Sequence, residues 1–214
     1  MKQALIVQGG WDGHYPHETS QIMAEALRGE GFEVEVADTL DALRDVEALK
    51  RLSLIVPQWT MGHIQADQIS PLLEAVRSGV GLAGIHGGMG DAFREQTEYQ
   101  FAVGGQWVAH PGGIVSYWVH IGDDPSPITA GLEGFEVTSE QYYMHVDPAI
   151  RALATTTFTG VAPEPVVMPV TWTKTYGEGR VFYCSLGHTP DVLAMPPVLT
   201  MVTRGMLWAA TTSR

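Results

Sequence analysis

Apolar and polar positions alternate between two periods along the first half of the chain. Ala4 to Gln8 is a short apolar run that reads as a buried strand. Glu18 to Arg28 places Ile22, Met23, Ala26 and Leu27 on one helical face, with Gly29 and Gly31 as a stop. Phe32 to Ala37 alternates apolar and acidic residues, the pattern of a half-exposed edge strand. Asp38 to Lys50 reads as partly helical, and Leu52 to Pro57 as a buried strand. Ile69, Leu72, Leu73 and Val76 give Asp67 to Ser78 a helical stripe ended by Gly79. Val80 to Ile85 is a further buried strand.

The second half changes period. Ile114–Ile121, Glu136–Val146, Ala152–Phe158, Val166–Tyr176 and Arg180–Ser185 all read as strands, with few helices between them. Tyr176-Gly177-Glu178-Gly179-Arg180 has the composition of a hairpin turn, and Pro196 to Ala210 reads as a final helix. The expected fold is α/β: a parallel core sheet with helices on both faces, carrying an antiparallel extension, in a single domain over 1–214. There is no internal repeat and no low-complexity linker.

Composition narrows the partners. The net charge is −12, from 24 acidic and 12 basic residues, which argues against nucleic acid and against anionic membrane surfaces. Cys184 is the only cysteine, so an intrachain disulfide is impossible and a reducing compartment is expected. No stretch reaches transmembrane length, and the first apolar run is too short for a signal peptide. A cytoplasmic location follows as an expectation. The apolar helices and open strands permit a homodimer.

Open α/β sheets bind ligands beyond the carboxyl ends of their strands. Four expected strand ends carry imidazoles. Trp11, Asp12, His14 and His17 follow the first, and Trp59 and His63 follow the third. His86 follows the fourth, in Gly84-Ile85-His86-Gly87-Gly88-Met89-Gly90, and His188 follows the last. The strand, glycine turn and helix around His86 form the setting in which α/β hydrolases hold a nucleophile. An imidazole there points to acid/base or metal-ligand chemistry. His110 precedes a proline among turn residues, and Glu140 lies beside Tyr142, Tyr143 and His145. Catalytic work is therefore expected of His86, Glu140, His110 and His188. Substrate contact is expected of Trp11, Asp12, His14, Trp59, Tyr142 and His145, with the two tryptophans as flat walls or core. His63 reads as a surface residue, and His120 as cross-strand packing.

H-E-x-x-H, paired C-x-x-C, G-x-G-x-x-G and Walker motifs are all missing, so no nucleotide cofactor is expected. A divalent Zn, Mn or Fe ion assembled from distant loops is allowed, with His86, His110 and His188 as ligands.

Four segments together resemble a known family. They are Gly84-Ile85-His86-Gly87-Gly88, the run from Gly104 to Pro111, Ser139-Glu140-Gln141-Tyr142-Tyr143, and the run from Gly177 to His188. Their order and span resemble the trehalose-utilisation (ThuA-like) family, which is similar in fold to class I glutamine amidotransferases. The resemblance implies a flavodoxin-like three-layer sandwich. It also implies a carbohydrate-catabolic enzyme, a hydrolase or lyase acting on a 3-keto-glycoside or related small sugar. The amidotransferase elbow holds a nucleophilic Cys where this chain has His86, so glutaminase activity is not expected. A non-catalytic sugar-binding or regulatory module is the competing expectation.

Overall fold

The computed structural model describes residues 2–211. The expected unit over 1–214 includes Met1 and residues 212–214, which lie outside the described residues. Eleven strands and seven α-helices occur among the described residues. Their order is β1 (Lys2–Gly10), α1 (Pro16–Gly29), β2 (Phe32–Ala37), α2 (Val46–Leu49), β3 (Leu54–Thr60), α3 (Ala66–Arg77), β4 (Gly81–Ile85), α4 (His86–Gly90) and α5 (Thr97–Val103). Then follow β5 (Gly105–Ala109), β6 (Ile114–Ile121), β7 (Phe135–Glu140), β8 (Tyr143–Val146), β9 (Arg151–Phe158), β10 (Val166–Tyr176), β11 (Gly179–Cys184), α6 (Pro190–Ala194) and α7 (Pro196–Ala209).

Nine strands form one sheet in the order β2-β1-β3-β4-β11-β10-β9-β6-β7. Neighbours from β2 to β11 are parallel, and those from β11 to β7 are antiparallel. The parallel core and antiparallel extension read from the sequence are both present, and β2 is the edge strand its alternation indicated. Successive residues of β1 show why the core strands are apolar throughout. Ala4 and Ile6 join the cluster under α1, α6 and α7, whereas Leu5 and Val7 join the one under α3 and α5. A strand covered on both faces needs apolar side chains at every position. The result is the three-layer, flavodoxin-like sandwich.

Three local readings change. The run 136–146 is two strands, not one. β7 pairs with β6, then the chain turns at Gln141 and Tyr142, and β8 pairs with β5 in a separate two-stranded sheet. The strand β5 and the helix α5 were not read from the sequence, being only five and seven residues long. β3 runs on to Thr60 instead of stopping at Pro57, so Trp59 belongs to a strand. The β10–β11 hairpin closes with a two-residue loop, Gly177-Glu178, as its composition indicated.

Candidate functional site

Strands β1, β3, β4 and β11 are parallel, so their carboxyl ends share one edge of the sheet. Strand β7 is four reversals away from β11 and therefore points the same way, which puts Glu140 at that edge too. His14 closes the 3-10 turn Asp12–His14 after β1. His86 begins α4 directly after β4. His188 follows β11 by four residues.

The four side chains converge. One ligand-type atom from each of His14, His86, Glu140 and His188 lies within 4.8 Å of all the others. Glu140 Oε2 is 3.1 Å from His86 Nε2, 3.3 Å from His188 Nδ1 and 3.6 Å from His14 Nε2. His86 Nε2 and His188 Nδ1 are 3.2 Å apart. His110 Nε2 sits 3.6 Å from Glu140 Oε1, the opposite carboxylate oxygen.

Hydrogen bonds outside the cluster orient the rings. The Ser185 carbonyl oxygen, 2.8 Å from His86 Nδ1, can only accept, so the proton of a neutral His86 is on Nδ1. Its Nε2 lone pair then faces Glu140. His14 Nδ1 lies 3.0 Å from the Thr60 hydroxyl, which is buried. His14 Nε2 is buried and has no hydrogen-bond partner. Tyr142 stacks on His86, with ring centroids 4.0 Å apart. Burial pushes the His86 pKa down to about 4, against the opposing pull of Glu140. Burial pushes the Glu140 carboxyl up, but its contacts with His14, His188 and His86 pull it down by more. Glu140 is therefore held as an anion at the centre of the cluster, beside the buried His86 imidazole.

Lone pairs that converge on one point need a proton or a cation between them. Metal–ligand bonds of about 2.1 Å set tetrahedral ligand separations of about 3.4 Å. Four of the six separations, 3.1, 3.2, 3.3 and 3.6 Å, bracket that value, and all six lie within 4.8 Å. Imidazole with carboxylate suits Zn, Mn or Fe. The unpartnered His14 Nε2 is a further sign that the donor set fits a divalent ion. The set is not the one expected from sequence: His14 occupies the place given to His110. The end of β5 brings His110 to the far oxygen of Glu140, outside the four-atom group.

Elbow glycines let the cluster close. A Cβ on Gly87 would lie 2.5 Å from His14 Nδ1, and one on Gly88 would lie 2.1 Å from Gln58 Oε1. His86 itself adopts φ +42°, a left-handed conformation that is strained for a branched or bulky residue. The Tyr183 hydroxyl donates to the His86 carbonyl at 2.9 Å and pins it. Among described residues, the other non-glycine residues with positive φ are Tyr15, Met61 and Phe93, all on loops at this sheet edge. Strain of this kind concentrates at functional sites.

The remaining expected residues separate clearly. Trp11 is exposed, with its ring edge-on to His14 at 4.8 Å. Asp12 is exposed on the turn before His14 and makes no contact with the cluster. Trp59 is not a ligand wall: as part of β3 it packs on the core and covers Gly9 and Gly62. His145 is exposed on β8, paired in register with Gln106, and stays outside the cluster because β8 leads away from Glu140. His63 is exposed beside Glu95, and His120 is exposed on β6. Sequence reasoning missed Thr60, the Ser185 carbonyl, Trp107 and Arg94. Arg94 pairs with buried Asp91 and lies over the Trp107 ring, which lies 5.7 Å from that of His110. Thr60 had one available signal, as a hydroxyl at the end of a parallel strand.

An open α/β sandwich with a histidine–carboxylate site beyond its parallel strand ends defines the class. The model of the ThuA family, described as trehalose utilisation, matches residues 3–209, and the chain belongs to that family. No curated protein matches it significantly. A ThuA-like protein from Parabacteroides merdae superposes with TM-score 0.80 at 18% identity, covering 100% of this chain and 92% of that one. A ThuA-like protein from Bacteroides uniformis gives TM-score 0.80 at 15% identity, covering 97% and 91%. A β-galactosidase from Rahnella sp. R3 gives TM-score 0.64 at 15% identity, with 97% of this chain lying on 31% of that one. At these identities the likeness shows the fold. No helix among the described residues is long and apolar enough to cross a membrane.

Proposed function

We propose that this chain is a cytoplasmic carbohydrate-catabolic enzyme that cleaves a 3-keto-glycoside or related sugar by metal-assisted acid/base chemistry. The observation that carries this reading is the convergence of His14, His86, His188 and Glu140 at metal-ligand spacing. The family description, trehalose utilisation, supports a sugar as the substrate class. His14, His86, His188 and Glu140 would hold the ion, and a divalent ion there would supply Lewis-acid polarisation of a sugar carbonyl.

His86 and Glu140, both expected to do catalytic work, are the first candidates for the base. Because both face the shared cluster, the proton is better carried by His110. Its side chain is 37% exposed and its Nε2 stands beside Glu140 Oε1. His110 Nε2 takes the proton from C2, which the neighbouring 3-keto group acidifies. Glu140 stabilises the imidazolium that forms. The C2 electron pair makes a C1=C2 double bond as the C1–O bond breaks. The same imidazolium returns its proton to the departing glycosidic oxygen. Water addition across the double bond completes net hydrolysis. Imidazole suits both halves of this transfer near neutral pH. Tyr142, stacked on His86, closes the floor of the site.

The test supplies purified protein with a 3-keto-glucoside, with and without chelator, and follows release of the aglycone. Turnover should require added Zn, Mn or Fe and should vanish in His86→Ala. Equal background rates for wild type and His86→Ala would end the proposal. Saturable sugar binding without turnover would favour a binding module.

A further inference from the structure

Among the described residues, the antiparallel half of the sheet has a helical cover on one face only. Tyr117 and Val119 of β6 and Val137 of β7 point into the cluster under α6 and α7. Alternate residues of a strand point the other way. On β6 these are Ile114, Ser116, Trp118 and His120, and all four are exposed. Register sets them on one surface with their neighbours, because directly opposed residues of antiparallel strands share a face. Trp118 opposes Glu136 of β7, and His120 opposes Thr155 of β9. Two residues along the same ladder, Thr157 comes level with Trp118, and it opposes Val167 of β10. One row across four strands therefore reads Val167, Thr157, Trp118, Glu136. Val167 is 64% exposed, Ile114 54% and Trp118 49%. The indole is laid down on the sheet: a Cβ on Gly134 would lie 2.8 Å from its Nε1. The hydroxyls of Ser116 and Thr138 are 2.7 Å apart and satisfy each other. Glu136 is the one formal charge in the row, whereas the edge strand β2 exposes both Glu33 and Glu35.

We infer that this face is the contact of a two-fold homodimer, in which a second copy of the chain lies sheet against sheet across Trp118. Charge selects the occupant. A chain of net charge −12 repels its own copies over most of its surface, and this row spends one carboxylate across four strands. A basic partner would find little here to pair with, whereas a second copy finds a flat apolar face like its own. Area agrees. From Ile114 to His120 and across four strands, the face measures about 20 by 19 Å, or about 400 Å² on each copy. With side-chain relief and a rim, the pair removes roughly 1,000 Å² from water, the lower limit of a specific interface. The dimer is therefore reversible, with dissociation in the micromolar range. A two-fold contact sets the same patch on both copies, and a large aromatic near the centre of such a patch carries much of its energy. The face also reaches the histidine site. Ile114 opposes Glu140 in register and follows His110 by four residues, so the second copy borders the loop that carries His110.

Sedimentation equilibrium of the full chain over about 1–200 μM, a range that spans the expected affinity, tests this. The average mass of wild type should climb from one chain towards two. Trp118→Asp and Val167→Asp each place a carboxylate in the contact and should weaken the dimer at least about tenfold. Both positions are exposed in the single chain, so each variant should keep the wild-type circular dichroism and Tm. Two variants on different strands separate loss of the contact from a local disturbance of one strand. Thr203→Asp, on α7 across the sheet, should leave the dimer unchanged. Wild type that stays a single chain throughout would overturn the second copy as occupant and leave the face to another macromolecule. A dimer as tight in both Trp118→Asp and Val167→Asp as in wild type would place the contact elsewhere and overturn the proposal equally. Metal content should be the same in all four proteins, so neither result bears on the reading of the histidine cluster.

Discussion

Adding a single methyl group at Gly87 tests whether the elbow glycines serve the cluster. Its Cβ would fall 2.5 Å from His14 Nδ1, 2.6 Å from His14 Cε1 and 3.0 Å from Thr60 Cγ2. Ordinary contact begins near 3.5 Å, so the imidazole must retreat by about 1 Å. The His14–Thr60 hydrogen bond, 3.0 Å at present, does not survive that movement. Overpacking costs about 1–3 kcal/mol and the buried hydrogen bond about 1 kcal/mol, so Gly87→Ala should lose about 2–4 kcal/mol. For a chain of this size that is a fall in Tm of roughly 4–16 °C. Disturbing a group that orients a ligand also weakens metal affinity about 10–100-fold. Thermal unfolding with and without metal, and a competition titration against a chelator, read both quantities. Gly29→Ala is the control: Gly29 is helical and exposed, and its added Cβ meets nothing within 4 Å. It should be neutral or slightly stabilising. A Gly87→Ala variant with wild-type Tm and wild-type metal affinity would refute the geometry on which the site rests.

Thr60→Val, which removes the hydroxyl beside His14 Nδ1 and preserves shape, should weaken metal affinity about 10–100-fold in the same chelator competition without unfolding the protein. Asp147→Asn should destabilise the protein by about 2 kcal/mol in urea at pH 7, because the Lys174 side chain is 5% exposed and its ammonium would lose its anionic partner, keeping the neutral Phe101 carbonyl and ring. The Lys174 contact holds the Asp147 carboxyl below its usual range, so its contribution is present above about pH 4 and fades as pH falls through the folded value. The gap between wild type and Asp147→Asn should therefore shrink in acid, and a gap that grows there would contradict the pairing. Burial pushes the Cys184 thiol up to about 11, so a thiol reagent at pH 8 should label it only after denaturation.

The parallel core was legible because its central strands β1, β3 and β4 are built on continuous apolar runs, a pattern that burial on both faces imposes. The antiparallel half was less so. Glu136 to Val146 reads as one strand because nothing in Gln141-Tyr142 marks a turn, yet the chain changes sheets there. Helix α5 and strand β5 escaped notice because seven and five residues carry too little periodicity. His86, Glu140 and His188 were legible as a site because strand ends can be read along the chain. His14 entered only as a substrate contact, and His110 took its place as a ligand. Which nitrogen meets which oxygen depends on how far β7 curls back across the sheet, a through-space fact with no linear signature. Trp59 illustrates the converse. Its strand extends three residues past the proline at which it was expected to end, and of the two readings open to Trp59, flat wall or core, the packing favours core.

Elemental analysis of the purified protein, before and after reconstitution with Zn, Mn or Fe, tests the central claim most directly. Wild type should carry a stoichiometric divalent metal that is lost when His188→Ala or Glu140→Gln removes a ligand and retained in His110→Ala, which removes none. A wild-type protein that takes up none of these metals, or a His188→Ala variant that holds metal as tightly as wild type, would contradict it.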